Sequence, residues 1–259
     1  MDLQLTGKKA IVTGGTAGIG LAIARVLEEE GVEVTIPGRT RKKLDEALAT
    51  LSGKAQGIEV DLGTAQGAAA CIAQVPETNI LVNNLGIYEP KNFADISDEE
   101  WLRLFEVNVL SGIRLARHYF PQMLASNWGR VIFVSSESGI MTPGEMVHYG
   151  MTKTAQLAVS RGMAEQTKGT KVTVNTVLPG PTRSEGSVGF LQSVASSPHA
   201  TPEQAEREFF QNYRSSSLLQ RLIEDREVAT LVAYVASPLS VATNGAALRV
   251  EGGILHSIA

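Results

Sequence analysis

Tyr149 and Lys153 are four residues apart, so a helix places both side chains on one face. A free phenol titrates near pH ~10 and is a slow acid or base at neutrality, whereas an ammonium beside it favours the phenolate. The pair therefore has the makings of a proton donor and acceptor. Alone it reads equally as a surface tyrosine beside a solvated lysine, so its surroundings must decide. Upstream, Val131-Ile132-Phe133-Val134 reads as a buried strand that ends at Ser135-Ser136, with Ser136 13 residues before Tyr149. The carboxyl ends of strands in an open parallel sheet line its ligand crevice.

A second group of residues can hold phosphate. Thr13-Gly14-Gly15-Thr16-Ala17-Gly18-Ile19-Gly20 follows a first strand, Lys9–Thr13, and opens an amphipathic helix. Gly14 permits a tight turn, Gly18 lets backbone approach a pyrophosphate, and Gly20 lets the helix pack closely on the sheet. The helix start adds unpaired N–H groups and the positive end of the peptide dipoles. At the end of the second strand, where an acid binds the adenosine ribose diol in folds of this type, the chain reads Ile36-Pro37-Gly38-Arg39-Thr40-Arg41. Gly38 stands in the acid's place, and the Arg39 guanidinium suits a ribose phosphate. The plainer reading makes Arg39 a solvated charge that opens the next helix.

These residues need a scaffold, and the apolar pattern predicts one. Strand-like runs cover Lys9–Thr13, Val32–Ile36, Gly57–Val60, Ile80–Val82, Arg130–Val134, Lys171–Leu178 and Ala247–Val250. Ile19, Ala22, Ile23, Val26 and Leu27 mark one face of a first helix ending at Gly31, and further helical segments lie near 40–51, 64–75, 97–125, 148–168 and 224–236. Such alternation predicts an α/β fold, a doubly wound parallel sheet with helices on both faces, in one domain over residues 1–259. Residues 183–223 carry no strand of their own but many serines and Phe190, Phe209, Phe210 and Tyr213. They read evenly as a substrate lid or as a surface helical hairpin.

Composition removes several classes. With 23 basic and 27 acidic residues the net charge is −4, which offers nucleic acid no broad cationic field. The lone Cys71 excludes an intrachain disulfide and a Cys-ligated zinc, and His118, His148, His199 and His256 are scattered, so no metal is expected. No apolar run approaches the ~20 residues that span a bilayer. The opening MDLQLTGKKA has no secretory pattern, and a cytoplasmic location is the expectation.

The Gly-x-x-x-Gly-x-Gly spacing, followed in order by Ser136, Tyr149 and Lys153, resembles the short-chain dehydrogenase/reductase family, with its Rossmann fold. The resemblance runs from Gly7 to Gly253. It implies a catalytic set of Asn108, Ser136, Tyr149 and Lys153. Tyr149 then serves as general acid/base on a substrate oxygen, Lys153 lowers its pKa and holds the nicotinamide ribose, Ser136 hydrogen-bonds the substrate oxygen, and Asn108 holds a water in the proton path. Cofactor contacts are implied at Gly14, Thr16, Ala17, Gly18, Ile19, Gly20, Arg39, Thr40, Asp61, Leu62, Asn83, Gly86, Tyr149, Lys153, Pro179, Gly180 and Thr182. Two positions depart from the family pattern: Leu85 replaces an alanine in Asn83-Asn84-Leu85-Gly86, and Glu251 replaces an aspartate near the end.

The function so implied is hydride transfer between NADPH and a ketone/secondary-alcohol pair. NADP(H) is favoured and NAD(H) is the alternative. Arg183, Arg207, Arg214 and Arg221 lean towards a 3-oxoacyl substrate, although Glu185, Glu203, Glu206 and Glu208 interleave with them. Two other readings stay open: an NAD(H)-dependent alcohol dehydrogenase of the same family, and a non-catalytic NADP(H)-binding sensor or scaffold. The resemblance further implies a homotetramer (or homodimer) through the helices near 97–125 and 148–168.

Overall fold

Val, Ile and Leu alternate between the two faces of every central strand, which is what lets one sheet feed two cores. In the computed structural model, which describes residues 1–258 and, for Glu185, Val188, Ser193 and Val194, the backbone alone, seven strands pair in parallel. They are β1 (Lys9–Val12), β2 (Glu33–Gly38), β3 (Gln56–Glu59), β4 (Ile80–Asn83), β5 (Gly129–Val134), β6 (Val172–Pro179) and β7 (Ala247–Val250). Their order is β3-β2-β1-β4-β5-β6-β7, so the direction in which successive strands are added reverses between β1 and β4 while all strands stay parallel. Helices on either side of a reversal diverge and leave a crevice at the strand ends. The doubly wound α/β fold is what the sequence pattern predicts.

Ala10 and Val12 join one core with Ile80, Val82, Ile132 and Val134, beneath α1 (Gly18–Glu29), α2 (Arg41–Leu48) and α9 (Asp225–Ala236). Ile11, Leu81, Val131 and Phe133 face the other way, into α3 (Ala65–Gln74), α5 (Ser111–Ala125) and α6 (Val147–Ala164). The region near 97–125 differs from a continuous helix. It divides into α4 (Asp98–Phe105), a π-turn over Glu106–Leu110, and α5. A π-turn carries one extra residue and frees backbone groups, and such turns concentrate at functional sites. The segment 183–223 folds as α7 (Glu185–Val194) and α8 (Pro202–Asn212), which share a small core of Leu191, Ala205, Phe209, Phe210 and Leu222. No helix among the described residues is long and apolar enough to cross a membrane.

One buried cation ties the sheet's lower end together. Arg130, 1% exposed, donates to the carbonyls of Gly129 and Lys171 at 2.8 Å and to that of Ser237 at 3.2–3.3 Å. Burial pushes its guanidinium down to about 10, and carbonyl dipoles supply the compensation. Arg130→Met leaves these carbonyls short of donors, and a loss of about 2–4 kcal/mol in unfolding free energy is expected from urea titration. An unchanged midpoint would show that the clamp contributes nothing.

Candidate active site

In register, β4 ends level with Phe133 of β5 and Thr176 of β6, β6 runs on to Pro179, and α6 packs on one face of these strands. Lys153 on α6 points down at the end of β5: its Nζ donates to the carbonyl of Val134 at 3.0 Å and is 4% exposed. Ser135 fixes the same turn of α6 from below, its hydroxyl donating to the carbonyl of Lys153 at 2.8 Å. One turn earlier on α6, the Tyr149 ring lies 5.6 Å from Lys153 Nζ and meets Tyr88 edge-on at 6.0 Å. The helical spacing read from the sequence is thus realised.

The π-turn explains Asn108. Its side chain pins the loop after β4, accepting from the Ile87 N–H at 2.8 Å and donating to the Ile87 carbonyl at 2.9 Å and to Thr152 at 3.0 Å. Its own carbonyl, available because the helix is interrupted, accepts from Gln156 Nε2 at 2.6 Å. The oxygen of the same Gln156 amide lies 3.4 Å from Lys153 Nζ. A side chain of this protein therefore links Asn108 to Lys153, where the family resemblance places a water. Gln156 was not among the residues singled out in the sequence, although it stands three positions after Lys153 on one helix face.

Electrostatics at this point depend on a second unanticipated residue. Ser136 donates to Glu137 Oε2 at 2.5 Å, and Glu137 is itself buried with Arg214 Nε 3.7 Å from its other oxygen. Burial raises the Glu137 carboxyl, with Ser136 and Arg214 opposing. Burial, then the charge of Glu137, raises the Tyr149 phenol, with the nearby Ser136 hydroxyl opposing. This is the opposite direction to that expected from Lys153 alone. Lys153 is pushed down to about 8 by desolvation, with Glu137 opposing the shift.

Beside these groups lies the glycine turn. Gly14 has φ +64°, and a Cβ on Gly20 would stand 2.3 Å from the Gly14 carbonyl oxygen, so only glycine lets α1 seat this closely. Ala17 precedes α1 and offers no side-chain cap, leaving the first N–H groups of the helix for a ligand. Thr13 closes the turn against β4: its hydroxyl accepts from the Asn84 and Leu85 N–H groups, both at 2.9 Å. The result is a groove of about 700 Å³, lined by Gly14, Thr16, Ala17, Gly18, Ile19, Gly20, Gly86, Thr182 and, in addition, Lys43 and Asn84. It adjoins a chamber of about 230 Å³ lined by Ser136, Tyr149, Pro179, Gly180 and Thr182, and by Tyr88, Met146, Phe190, Phe209, Glu137 and Arg214. A glycine-walled cradle at an uncapped helix end fits a dinucleotide pyrophosphate, with the chamber left for the reacting end.

Several sequence-named contacts sit elsewhere. Asn83 is buried under α5, its side chain close to Gly112, and lines neither cavity; the groove wall is Asn84. The Leu62 side chain belongs to the core, and Asp61 turns its carboxylate onto the Gly63 N–H at 3.0 Å. Arg39 and Thr40 are exposed at the end of β2, outside the groove wall that Lys43 reaches. Gly180 lines the chamber, and a Cβ there would stand 2.7 Å from the Glu251 carbonyl oxygen, so the chain also packs too closely on that side for any other residue. The Glu251 departure is harmless locally, its carboxylate accepting from the Ile254 and Leu255 N–H groups.

A doubly wound sheet with a glycine-walled groove at its reversal, and a Tyr/Lys/Ser cluster beside it, defines a dinucleotide-binding oxidoreductase. The chain belongs to the short-chain dehydrogenase family, whose pattern residues 8–192 match. The uncharacterized oxidoreductase YvaG of Bacillus subtilis is 48% identical over 265 residues and covers 100% of both chains. The 3-oxoacyl-acyl-carrier-protein reductase FabG of Aquifex aeolicus is 30% identical, covering 98% of this chain and 100% of its own. Among solved structures, L-sorbose reductase from Gluconobacter frateurii, complexed with NADPH and L-sorbose, superposes with a TM-score of 0.92 at 25% identity over 100% of both chains.

Gln156 gives a direct test of the Lys153 environment. An acceptor near an ammonium favours its charged form, so Gln156→Leu removes support and moves the Lys153 titration below about 8. Lysine side-chain NMR across pH 6–10 reads this; an unmoved titration counts against the link.

Proposed function

We propose that the protein reduces ketones to secondary alcohols with NADPH, and that Tyr149 is the proton donor. The observation that carries this reading is the shared wall: Tyr149 and Ser136 both face the chamber that continues from the glycine groove through Ile19 and Thr182. Bound NADPH supplies the hydride. Burial and Glu137 keep the phenol protonated, which suits donation to an oxygen gaining negative charge. Ser136 sits in the same wall; its hydroxyl, which donates to Glu137 in this structure, orients that oxygen by turning to it when substrate binds. Lys153, charged below about pH 8, faces the space over Gly86, whose Cβ position lies 3.4 Å from Nζ. Asn108 and Gln156 hold this lysine and the Ile87 loop in place.

Three features support NADP(H) over NAD(H). Gly38 stands where NAD-type sites carry the ribose-binding acid, so no carboxylate repels a ribose phosphate, and a Cβ there would crowd the Leu44 and Thr16 side chains at 2.8 and 2.9 Å. Lys43 lines the groove, and Arg39 is an exposed cation next to Gly38 in the chain. The solved L-sorbose reductase binds NADPH. The lean towards 3-oxoacyl substrates now rests on the relatives named as 3-oxoacyl reductases rather than on charge. Arg183 pairs with Glu206 and Glu224, Arg221 with Glu227, and Arg214 with Glu137, so three of the four arginines already have acidic partners.

Tyr149→Phe is expected to lower NADPH oxidation roughly 100-fold or more across a ketone panel while NADPH still binds. Retained turnover would remove Tyr149 from the chemistry. In fluorescence titration, NADPH is expected to bind at least about tenfold tighter than NADH, with most of the difference lost in Arg39→Ala. Tighter binding of NADH would falsify the cofactor assignment.

A further inference from the structure

The chamber beside Tyr149 has one wall that the reduction of a simple ketone does not require. Phe190, Phe209, Met146 and Tyr88 give it an apolar surface, yet Glu137 and Arg214 are set into that surface facing one another. Both are withdrawn from water: their side chains are 6% and 13% exposed. Arg214 Nε stands 3.7 Å from Glu137 Oε1, close enough to attract and too far for a hydrogen bond. That Nε–H has no hydrogen-bond partner among the described residues, although it is buried. The rest of the guanidinium is fixed, with Nη1 donating to the Tyr213 carbonyl at 2.9 Å and Cζ 5.8 Å from the centre of the Phe209 ring. Glu137 is fixed from the other side by Ser136, whose hydroxyl donates to Oε2 at 2.5 Å.

An unpaired donor and a carboxylate acceptor, held apart in an apolar wall, leave an unmet demand. A buried polar group without a partner is destabilising, and a ligand that satisfies it recovers that cost. The ligand group must accept from Nε–H and donate to the carboxylate at once, which a neutral hydroxyl does. A carboxylate on the ligand suits Arg214 but faces Glu137 less than 4 Å further on. An ammonium suits Glu137 but faces Arg214. The pair as a unit is nearly neutral and rejects either charge.

Position sets where that hydroxyl must be. Ser136 touches Glu137 directly and shares the chamber wall with Tyr149, so the subsite is one side chain away from the reacting oxygen. We propose that Glu137 and Arg214 form a hydroxyl-recognising subsite, and that the preferred substrates are ketones carrying a neutral hydroxyl on the carbon next to the carbonyl, or the matching vicinal diols in reverse. This rests on the reading above that Tyr149 and Ser136 hold the carbonyl oxygen.

The test uses one carbon skeleton with four substituents: acetone, hydroxyacetone, aminoacetone and pyruvate. With the whole enzyme and saturating NADPH, kcat/KM for hydroxyacetone is expected to exceed that for each of the other three by at least about tenfold, the value of one charge-assisted hydrogen bond. In Glu137→Gln and in Arg214→Met the ratio of hydroxyacetone to acetone is expected to fall towards one. Equal rates with acetone and hydroxyacetone in the wild type overturn the subsite, as does a preference for pyruvate or aminoacetone. Propylene glycol binding to Tyr149→Phe, loaded with oxidised cofactor and compared with isopropanol by calorimetry, separates the two proposals. Selective binding of the diol, lost in the Glu137→Gln double variant, upholds the subsite even if the wild type turns over no ketone, an outcome that would sink only the reductase reading. Equal binding of diol and mono-alcohol sinks the subsite alone.

Discussion

An ammonium buried against a single backbone carbonyl organises this molecule. Removing a charge from water is costly, and Lys153 meets that cost with the Val134 carbonyl and the Gln156 amide, keeping a pKa only near 8. Those partners fix α6 over the end of β5 to within one hydrogen-bond length. Tyr149 follows because it is one turn away, Ser135 because it bonds the Lys153 carbonyl, and Asn108 because Gln156 reaches its main chain. Four elements distant in sequence are thereby brought to one point.

The two halves of the crevice are built from different materials. At the phosphate end the work falls to backbone: positive φ at Gly14, the missing Cβ at Gly20, an uncapped helix start, and the Thr13 hydroxyl that knots β1 to β4. Backbone cannot change its charge, so the glycine cradle itself does not titrate. At the reacting end everything is side chain, and the groups set one another's protonation. Glu137 raises both Tyr149 and Lys153, supporting the ammonium while opposing the phenolate. The balance among the three, rather than the Tyr–Lys pair alone, decides which proton is available.

Much of the architecture was legible because period-two burial and short connections leave few alternatives: all seven strands were readable, and α1 and α6 fell where apolar spacing put them. The glycine turn and the Ser136, Tyr149 and Lys153 set were legible because chemistry restricts those residue types. Three things were not. The π-turn has no composition signature, since Glu106–Leu110 reads as ordinary helix until Gln156 is known to pull on Asn108. A helical hairpin is one of two even readings of 183–223, but the bounds of α7 and α8 hid among serines, although Thr201-Pro202 with Gln204, a capping box with proline at the first turn, marks the start of α8. Glu137 and Arg214 lie far apart in sequence and matter only as a pair, which no spacing rule detects. At the end of β4 successive residues face opposite sides, so Asn83 turns towards Gly112 of α5 and its neighbour Asn84 towards the groove.

The extra residue in the π-turn has a bearing on how such a chain can diverge. Each residue added to or removed from a helix turns everything beyond it by about 100°. Gly112 on α5 lies against Asn83 and Phe133 only because α5 begins after five π-turn residues rather than four. Losing one would restore a regular helix and swing the core-facing side of α5, with Leu115, Tyr119 and Met123, away from the sheet. Substitutions can accumulate along the exposed face of α4 and α5, but insertions and deletions there cannot. Length, more than composition, is what descent must preserve between Ser97 and Ala125.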